Sequence, residues 1–404
     1  MAKDPRFGFL GNVSVGKDVH VPELLNMYNA VVFAYGASSD RDMGIPGENL
    51  KNVTSARAFV NWYNGHPSFR DFSPNLDTED VVIIGNGNVA VDCARVLCKS
   101  PEELKVTDIA SHAVEALSKS KVKRVHVVGR RGHIQAAVTM KELRELTRLE
   151  GTTFHVDGQE LALGRNTSSL AELESARARK RMDALLAEQA ALSHPSSPSG
   201  KQLFMRFLLS PVACKPLSQG IETGAVGSFE FERVALEGPA DKQKAVGTGK
   251  MVTIPAGLVL KSIGYKSLAM PGVPFDPKSA TMPNEKGRVM DTGKLHVPRL
   301  YCSGWLKRGP NGIIGTNITD ARETVASILE DKAAGKLGEA GNTAKGLPAL
   351  KSLLASRGLS PTSVLDWKGW LKVDAEEVAR GAASGKIREK VTSVPDMLRI
   401  GNAK

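Results

Sequence analysis

The stretch VVIIGNGNVAVDCARVL, Val81 to Leu97, constrains the fold more than any other part of the chain. Its four opening apolar residues, Val81 to Ile84, read as a short buried strand. The pattern G-x-G-x-x-A follows at Gly85, Gly87 and Ala90, and a helix with apolar spacing runs from about Val89 to Cys98. A strand, a glycine turn and a helix in this order can cradle the pyrophosphate of a dinucleotide. The first glycine permits the tight turn, the second lets backbone approach the phosphates, and the small third residue lets helix and strand pack closely. The helix N-terminus adds free N–H groups and a partial positive charge. Glycine turns of this kind also arise for packing alone, so a second feature has to decide.

That feature is VKRVHVVGRRG, Val122 to Gly132, a second strand running into a turn. A site for NAD places an acidic residue at the end of this strand, for the ribose 2′-hydroxyl. This chain places Arg130 and Arg131 there. Two guanidinium groups suit a 2′-phosphate, which they clamp by charge and forked hydrogen bonds, so NADP(H) is the expected nucleotide. The gap from the glycines is about twice the usual ~20 residues, because a polar, helix-prone insert, Lys99 to Ser120, intervenes. Without the glycine loop, the same two arginines would read as a solvated turn.

Elsewhere, MYNAVVFAYGA (Met27–Ala37) reads as a buried strand entering a glycine turn, and SARAFVNWYNGHP as a helix capped by Ser55 and stopped at Gly65 and Pro67. Leu143, Leu146 and Leu149 have helical spacing. Ala171 to Leu192 reads as one strongly charged helix, and Ser193 to Lys201 as a turn-rich linker. Phe204 to Ile254 alternates apolar and polar residues, as antiparallel strands do. Arg299 to Leu329 reads as strand, glycine-rich loop and helix, with Trp305 ahead of Gly309, Pro310 and Gly312. An indole beside a helix N-terminus is a shelf for a flat ring; a core tryptophan beside a helix cap is the other reading of the same pattern.

The 404 residues suffice for roughly two or three domains. No run reaches the ~20 apolar residues of a membrane span. Cys93, Cys98, Cys214 and Cys302 form no CxxC, which argues against a disulfide scaffold, a zinc site and a dithiol redox centre of the thioredoxin-reductase kind. A net charge of +11 favours an acidic partner. The basic residues are not interleaved with aromatics as a single-strand nucleic-acid binder requires. The opening MAKDPRFGFLGNV shows no readable targeting signal.

Nine stretches carry a resemblance: FLGNVSVGKDV, SARAFVNWYNGHP, GNGNVAVDCARVL, VVGRRGHIQAAVTMKELRE, SARARKRMDALL, SIGYKS, VPFDP, YCSGWLKRGPNGII and DAEEVARGAASGKIREK. Through them, over nearly its whole length, the chain resembles the mitochondrial adrenodoxin reductase (ferredoxin–NADP reductase) family. The resemblance implies electron transfer from NADPH through FAD to a small acidic [2Fe–2S] ferredoxin. It implies an α/β fold with two Rossmann-like dinucleotide-binding domains: an FAD-binding type from residues 1–40 and 266–404, and an NADP-binding domain, 41–265, inserted between them. Asn86, Gly87, Asn88 and Val89 would line the NADP pyrophosphate, Arg130 and Arg131 would meet the 2′-phosphate, and Glu142 would be a further NADP contact. Val15, Trp305, Gly312, Ile313 and Ile314 would hold FAD, with Gly312 also meeting NADP.

Arg177, Lys180 and Arg181 would dock the ferredoxin; a solvated basic face is the plainer reading of that run. The family's first G-x-G-x-x-G is absent, so the FAD domain is expected to be incomplete at its N-terminus, lacking its first βαβ unit. An NADP-binding remnant or isoform without flavin and without catalysis is therefore the alternative function. The resemblance further implies the mitochondrial matrix or the matrix side of the inner membrane, at most peripheral membrane association, no nucleic-acid partner and no metal.

Overall fold

The computed structural model describes residues 2–192, 200–217, 224–337 and 346–403; the linker expected around residues 193–199 lies outside them. The chain forms two compact units. One comprises Met1–Arg41, Gly264–Glu376 and Val394–Lys404, the other Asp42–Ile263 and Glu377–Ser393.

The first unit holds α1 (Val21–Met27), β1 (Val31–Phe33) and β2 (Ser39–Asp40), and the chain re-enters it at β12 (Tyr265–Lys266). There follow β13 (Asn284–Glu285), β14 (Arg288–Met290), β15 (His296–Cys302), α10 (Trp305–Arg308), α11 (Thr316–Ala333), α12 (Gly346–Ser356), α13 (Trp367–Ala383), of which the residues after Glu376 are counted with the other unit, and α14 (Val394–Gly401). The sheet order is β1-β15-β14-β13, with β1 parallel to β15. Val21, Phe33, Met282, Val289, Leu300, Cys302 and Leu306 form its core. The helix α11 sits on this sheet with its polar side inward. Thr324, Ser327 and Asp331 are buried, while Ile318, Val325 and Leu329 are exposed. Hydrogen bonds account for the inversion: Thr324 donates to the Cys302 carbonyl at 3.0 Å, Ser327 to the Lys286 carbonyl at 2.8 Å, and Asp331 accepts from Arg288 Nε at 2.7 Å and the Tyr301 hydroxyl at 2.9 Å.

The second unit is built on six parallel strands: β3 (Val53–Ser55), β4 (Asp80–Ile84), β5 (Arg124–Val128), β6 (Thr152–Val156), β7 (Lys201–Arg206) and β11 (Leu258–Lys261). Their order is β3-β11-β4-β5-β7-β6. All five residues of β4 are buried, as a strand covered on both faces requires. One face packs under helices. These are α2 (Ala56–Tyr63), α3 (Asn88–Cys98), α4 (Pro101–Lys105), α5 (Ser111–Ser118), α6 (Met140–Leu146), α7 (Gly158–Gly164), α8 (Thr167–Ser175) and α9 (Arg177–Ala191). Phe59, Ile83, Leu97, Val127, Leu143, Leu186 and Leu203 lie in that core. On the other face Val82, Ile84, Val128 and Val259 meet Phe229, Phe231 and Ile254 of an antiparallel sheet, β8 (Leu209–Pro216), β9 (Val226–Glu237) and β10 (Lys244–Pro255). Ser55 caps α2, its Oγ accepting the Ala58 N–H at 3.0 Å.

Three expectations need correction. The strand at Lys201–Arg206 is not antiparallel: it lies between β5 and β6, parallel to both. The charged stretch 171–192 is two helices, broken at Ala176 with φ −136° and ψ 107°. The break lets α8 bury Ser169 and Glu172 while α9 buries Met182 and Leu186. Residues 377–393 belong with the second unit and not with the rest of 266–404. There Lys386 Nζ donates to the Ile109 carbonyl at 2.7 Å, and Ser111 Oγ donates to Glu389 at 2.7 Å.

Candidate functional site

The strands β4 and β5 run side by side, Ile84 opposite Val128, so the loops leaving them start together. Gly85 turns away from β4 with φ +114°, and a Cβ there would collide with the Ser262 carbonyl. Only glycine fits. Gly87 is the N-cap of α3, in extended conformation and with no side-chain cap. A Cβ on Gly87 would meet only the Ala137 Cβ, at 4.0 Å. Ala90 is fully buried where α3 packs on the sheet. No side chain caps the first turn of α3, so the N–H groups of Asn88 and Val89 are left as the free donors of a helix N-terminus, which suit an anion.

Asn86 adds a second sign. Its Nδ2 is buried with no hydrogen-bond partner among the described residues, and it lies over Gly129, where a Cβ would collide with it. A buried donor left unsatisfied costs roughly 1–3 kcal/mol, which a bound acceptor would recover. The Asn88 side chain is already engaged, its Oδ1 accepting the Thr139 N–H at 2.9 Å. What Asn88 offers a ligand is its backbone.

Beyond β5 the backbone is pinned: Gly129 N–H donates to the Arg206 carbonyl at 2.9 Å, Leu209 N–H to the Gly129 carbonyl at 3.2 Å, and Leu208 N–H to the Arg131 carbonyl at 3.2 Å. The side chains it carries are not. Arg130 and Arg131 are exposed, and neither guanidinium has a partner among the described residues. Glu142 is engaged within the protein. Its carboxylate is ion-paired with Arg95 of α3, which also reaches Asp92 at 3.1 Å and Glu145 at 3.2 Å, so it braces α3 against α6.

On α9 the basic run divides. Arg179 turns to Asp241, at 3.0 Å, and to Glu172. Arg177, Lys180 and Arg181 stay exposed and have no acidic partner among the described residues. All lie at the helix N-terminus, where positive charge opposes the macrodipole. Charge placed against a local stability rule suits an external acidic partner.

In the first unit, Trp305 opens α10 and is half-buried, its ring 5.7 Å from that of Tyr265. Gly312 has φ +85°, and the next two residues stand out in solvent, Ile313 64% and Ile314 88% exposed. An indole and two bare isoleucines suit a flat ring system. Val15 lines a separate cavity of about 660 Å³ with Val32, Phe33, Tyr35 and Met270; Trp305 and Gly312–Ile314 are not in its wall.

Residues 11–179 match the pyridine nucleotide-disulphide oxidoreductase family. The chain is 45% identical to the mitochondrial NADPH:adrenodoxin oxidoreductase of Homo sapiens, over 99% of this chain and 79% of that one. It is 39% identical to the NADPH-ferredoxin reductase FprA of Mycobacterium tuberculosis, over 99% of this chain and 84% of that one. The structure of that FprA in complex with NADPH matches with a TM-score of 0.89 over 100% of this chain and 85% of that one, at 39% identity. The chain belongs to the NADPH:adrenodoxin oxidoreductase family. Its α/β architecture of two Rossmann-like domains is that of the family.

The cysteines of this NADPH:adrenodoxin oxidoreductase relative are all buried and free. Burial pushes the thiols of Cys98 and Cys302 up to about 12 and that of Cys214 to about 11, far from the thiolate a redox nucleophile needs. Among the described residues no helix is long and apolar enough to cross a membrane, and no cluster could hold a metal. Two features escaped the sequence: the unsatisfied Asn86 amide, and a buried contact between His133 and Asp183 at 2.7 Å. Neither leaves a sequence signal, since each depends on a residue far along the chain, Gly129 against Asn86 and Asp183 beside His133.

Proposed function

We propose that this protein is an NADPH-dependent flavoprotein reductase that passes electrons from NADPH, through FAD, to an acidic [2Fe–2S] ferredoxin of the adrenodoxin type. The observation that carries the reading is the exposed, unpartnered pair Arg130–Arg131 on a pinned loop, adjacent to the open N-terminus of α3. The unit Asp42–Ile263 is the NADP domain. In it the N–H groups of Asn88 and Val89, the backbone of Gly87 and the Asn86 amide hold the pyrophosphate, Arg130 and Arg131 hold the 2′-phosphate, and Glu142 acts through Arg95 to keep α3 in place. The other unit is the FAD domain, with Val15, Trp305, Gly312, Ile313 and Ile314 as flavin contacts. FAD supplies the exchange between a hydride donor and a one-electron acceptor. Each NADPH gives up a hydride and leaves as NADP⁺; a proton is released and two ferredoxins each take one electron. Arg177, Lys180 and Arg181 receive the carrier's acidic face. A mitochondrial site of action follows the mitochondrial relatives.

The test is anaerobic reduction of a [2Fe–2S] ferredoxin by the chain reconstituted with FAD, read as bleaching of the ferredoxin's visible absorbance. Bleaching is expected with NADPH and not with equal NADH. A chain that binds an NADP resin, stays colourless after reconstitution and reduces no ferredoxin would be a nucleotide-binding protein without catalysis, and the reading would fall.

A further inference from the structure

Asp183, on α9, holds two side chains with one oxygen. His133 Nε2 lies 2.7 Å from its Oδ1, and Arg165 reaches the same atom at 2.9 Å from Nε and 2.8 Å from Nη2. His133 is fully buried, in the 3-10 turn His133–Gln135 that directly follows Arg130, Arg131 and Gly132. Its ring meets Phe207 edge-on, with centroids 5.8 Å apart. The fit around it is close: a Cβ on Gly164 would lie 3.0 Å from His133 Nδ1, and one on Gly132 would lie 3.5 Å from the Gly164 Cα. The arginine loop is thus held from two directions. Leu208 N–H grips the Arg131 carbonyl, and the His133–Asp183 contact grips the turn just beyond it.

We infer that His133, Asp183 and Arg165 are positioning residues for recognition of the 2′-phosphate: they fix the backbone that carries Arg130 and Arg131, and so set the discrimination between NADP(H) and NAD(H). The inference rests on the reading of Arg130 and Arg131 given above. An arginine side chain loses about 2 kcal/mol of rotamer freedom when it is held. If its backbone had to be ordered as well, the phosphate contact would lose still more of its strength; a backbone fixed beforehand removes that share. Burying a polar triad gains a fold little over an apolar side chain of the same size, so its geometry and not its stability is what the loop uses. Burial lowers the imidazole's affinity for a proton, and the neutral ring donates its Nε2–H to the carboxylate. Asp183, occupied by His133 and Arg165, does not compete with phosphate for the two arginines.

The experiment is calorimetric titration of the 404-residue chain with adenosine 2′,5′-bisphosphate and with adenosine 5′-monophosphate. The readout is the ratio of the two dissociation constants, which a general loss of stability would not move. In His133→Phe, which keeps ring volume and loses the donor, the preference for the 2′-phosphate should fall about tenfold, a change of one charged contact. His133→Gln restores a donor and should hold the preference within about twofold. Should His133→Phe bind neither nucleotide, Asp183→Asn replaces it, with the same fall expected. An unchanged ratio in whichever of these binds the monophosphate overturns the inference. Arg130→Ala with Arg131→Ala separates the two layers: if that double change leaves the ratio intact, the reading of the arginines fails, whatever His133 does.

Discussion

Asn88 Oδ1 accepts the backbone N–H of Thr139 at 2.9 Å, tying the first turn of α3 to the turn that opens α6. The side chain is therefore a strut, and on the proposed reading it is the residue's own N–H that meets the nucleotide. Asn88→Ala should cost about 1 kcal/mol of stability and only a few-fold in NADPH affinity. Asn88→Asp keeps the acceptor and sets a carboxylate where phosphate must come. Stability should hold, and NADPH affinity should fall at least ~tenfold. Urea unfolding and NADPH titration of both variants separate the two roles; similar affinity losses would place the amide on the nucleotide.

Arg177→Glu with Arg181→Glu should abolish most ferredoxin reduction at low salt and leave NADPH-driven ferricyanide reduction unchanged, since that acceptor needs no docking face. The wild-type rate should itself fall as salt shortens the Debye length below ~8 Å. The exchange also places acidic groups at a helix N-terminus, so the melting temperature should stay level or rise. Equal loss of both activities would return the helix to a purely structural role.

The glycine loop was legible because everything that shapes it is local: β4 and α3 begin and end within a residue or two of where Val81–Cys98 implied. Pairing was not local. The alternation at Lys201–Arg206 marks a strand, but only β5 and β6, far away in sequence, decide that it runs parallel. Alanine is a good helix former, so Ala176 gave no sign of a break, and the buried face of α8 is polar, so apolar spacing could not show two separate faces. The pairing of Glu142 with Arg95 was not legible because Arg95 lies on another helix.

His126 stacks on Phe204, which stacks on His155, a three-ring ladder across β5, β7 and β6 with centroids 4.6 Å apart at each step. Burial pushes the His126 imidazole down to about 4. The unfolded chain takes up a proton near 6.5 and the folded chain does not until about 4. The contribution is thus whole above pH 6.5 and is lost as pH falls from there toward 4, on the order of 3 kcal/mol in all. His126→Phe keeps the stack and should flatten the unfolding free energy over that window by about one proton. Parallel wild-type and variant curves would refute the assignment.

The outward apolar row of α11 should make the chain self-associate and bind a hydrophobic dye. Ile318→Ser, Val325→Ser and Leu329→Ser together should reduce both. Exposed substitutions of this kind shift stability by about 0.5 kcal/mol or less each, so the unfolding midpoint should hold. A collapse of the fold would mean that these side chains are packed.

The helix α9 carries Arg177, Lys180 and Arg181 on its outer side, and one turn further its Asp183 grips the histidine behind Arg130 and Arg131. On the proposed reading, one helix would border both the carrier's landing place and the nucleotide's phosphate clasp. Thermodynamic reciprocity then applies between them: whatever factor a docked carrier imposes on the hold of NADP⁺, bound NADP⁺ imposes on the carrier. If oxidised nucleotide loosens as the carrier lands, the carrier also lands less readily while oxidised nucleotide remains, and the order of arrival and departure would then follow from a single helix.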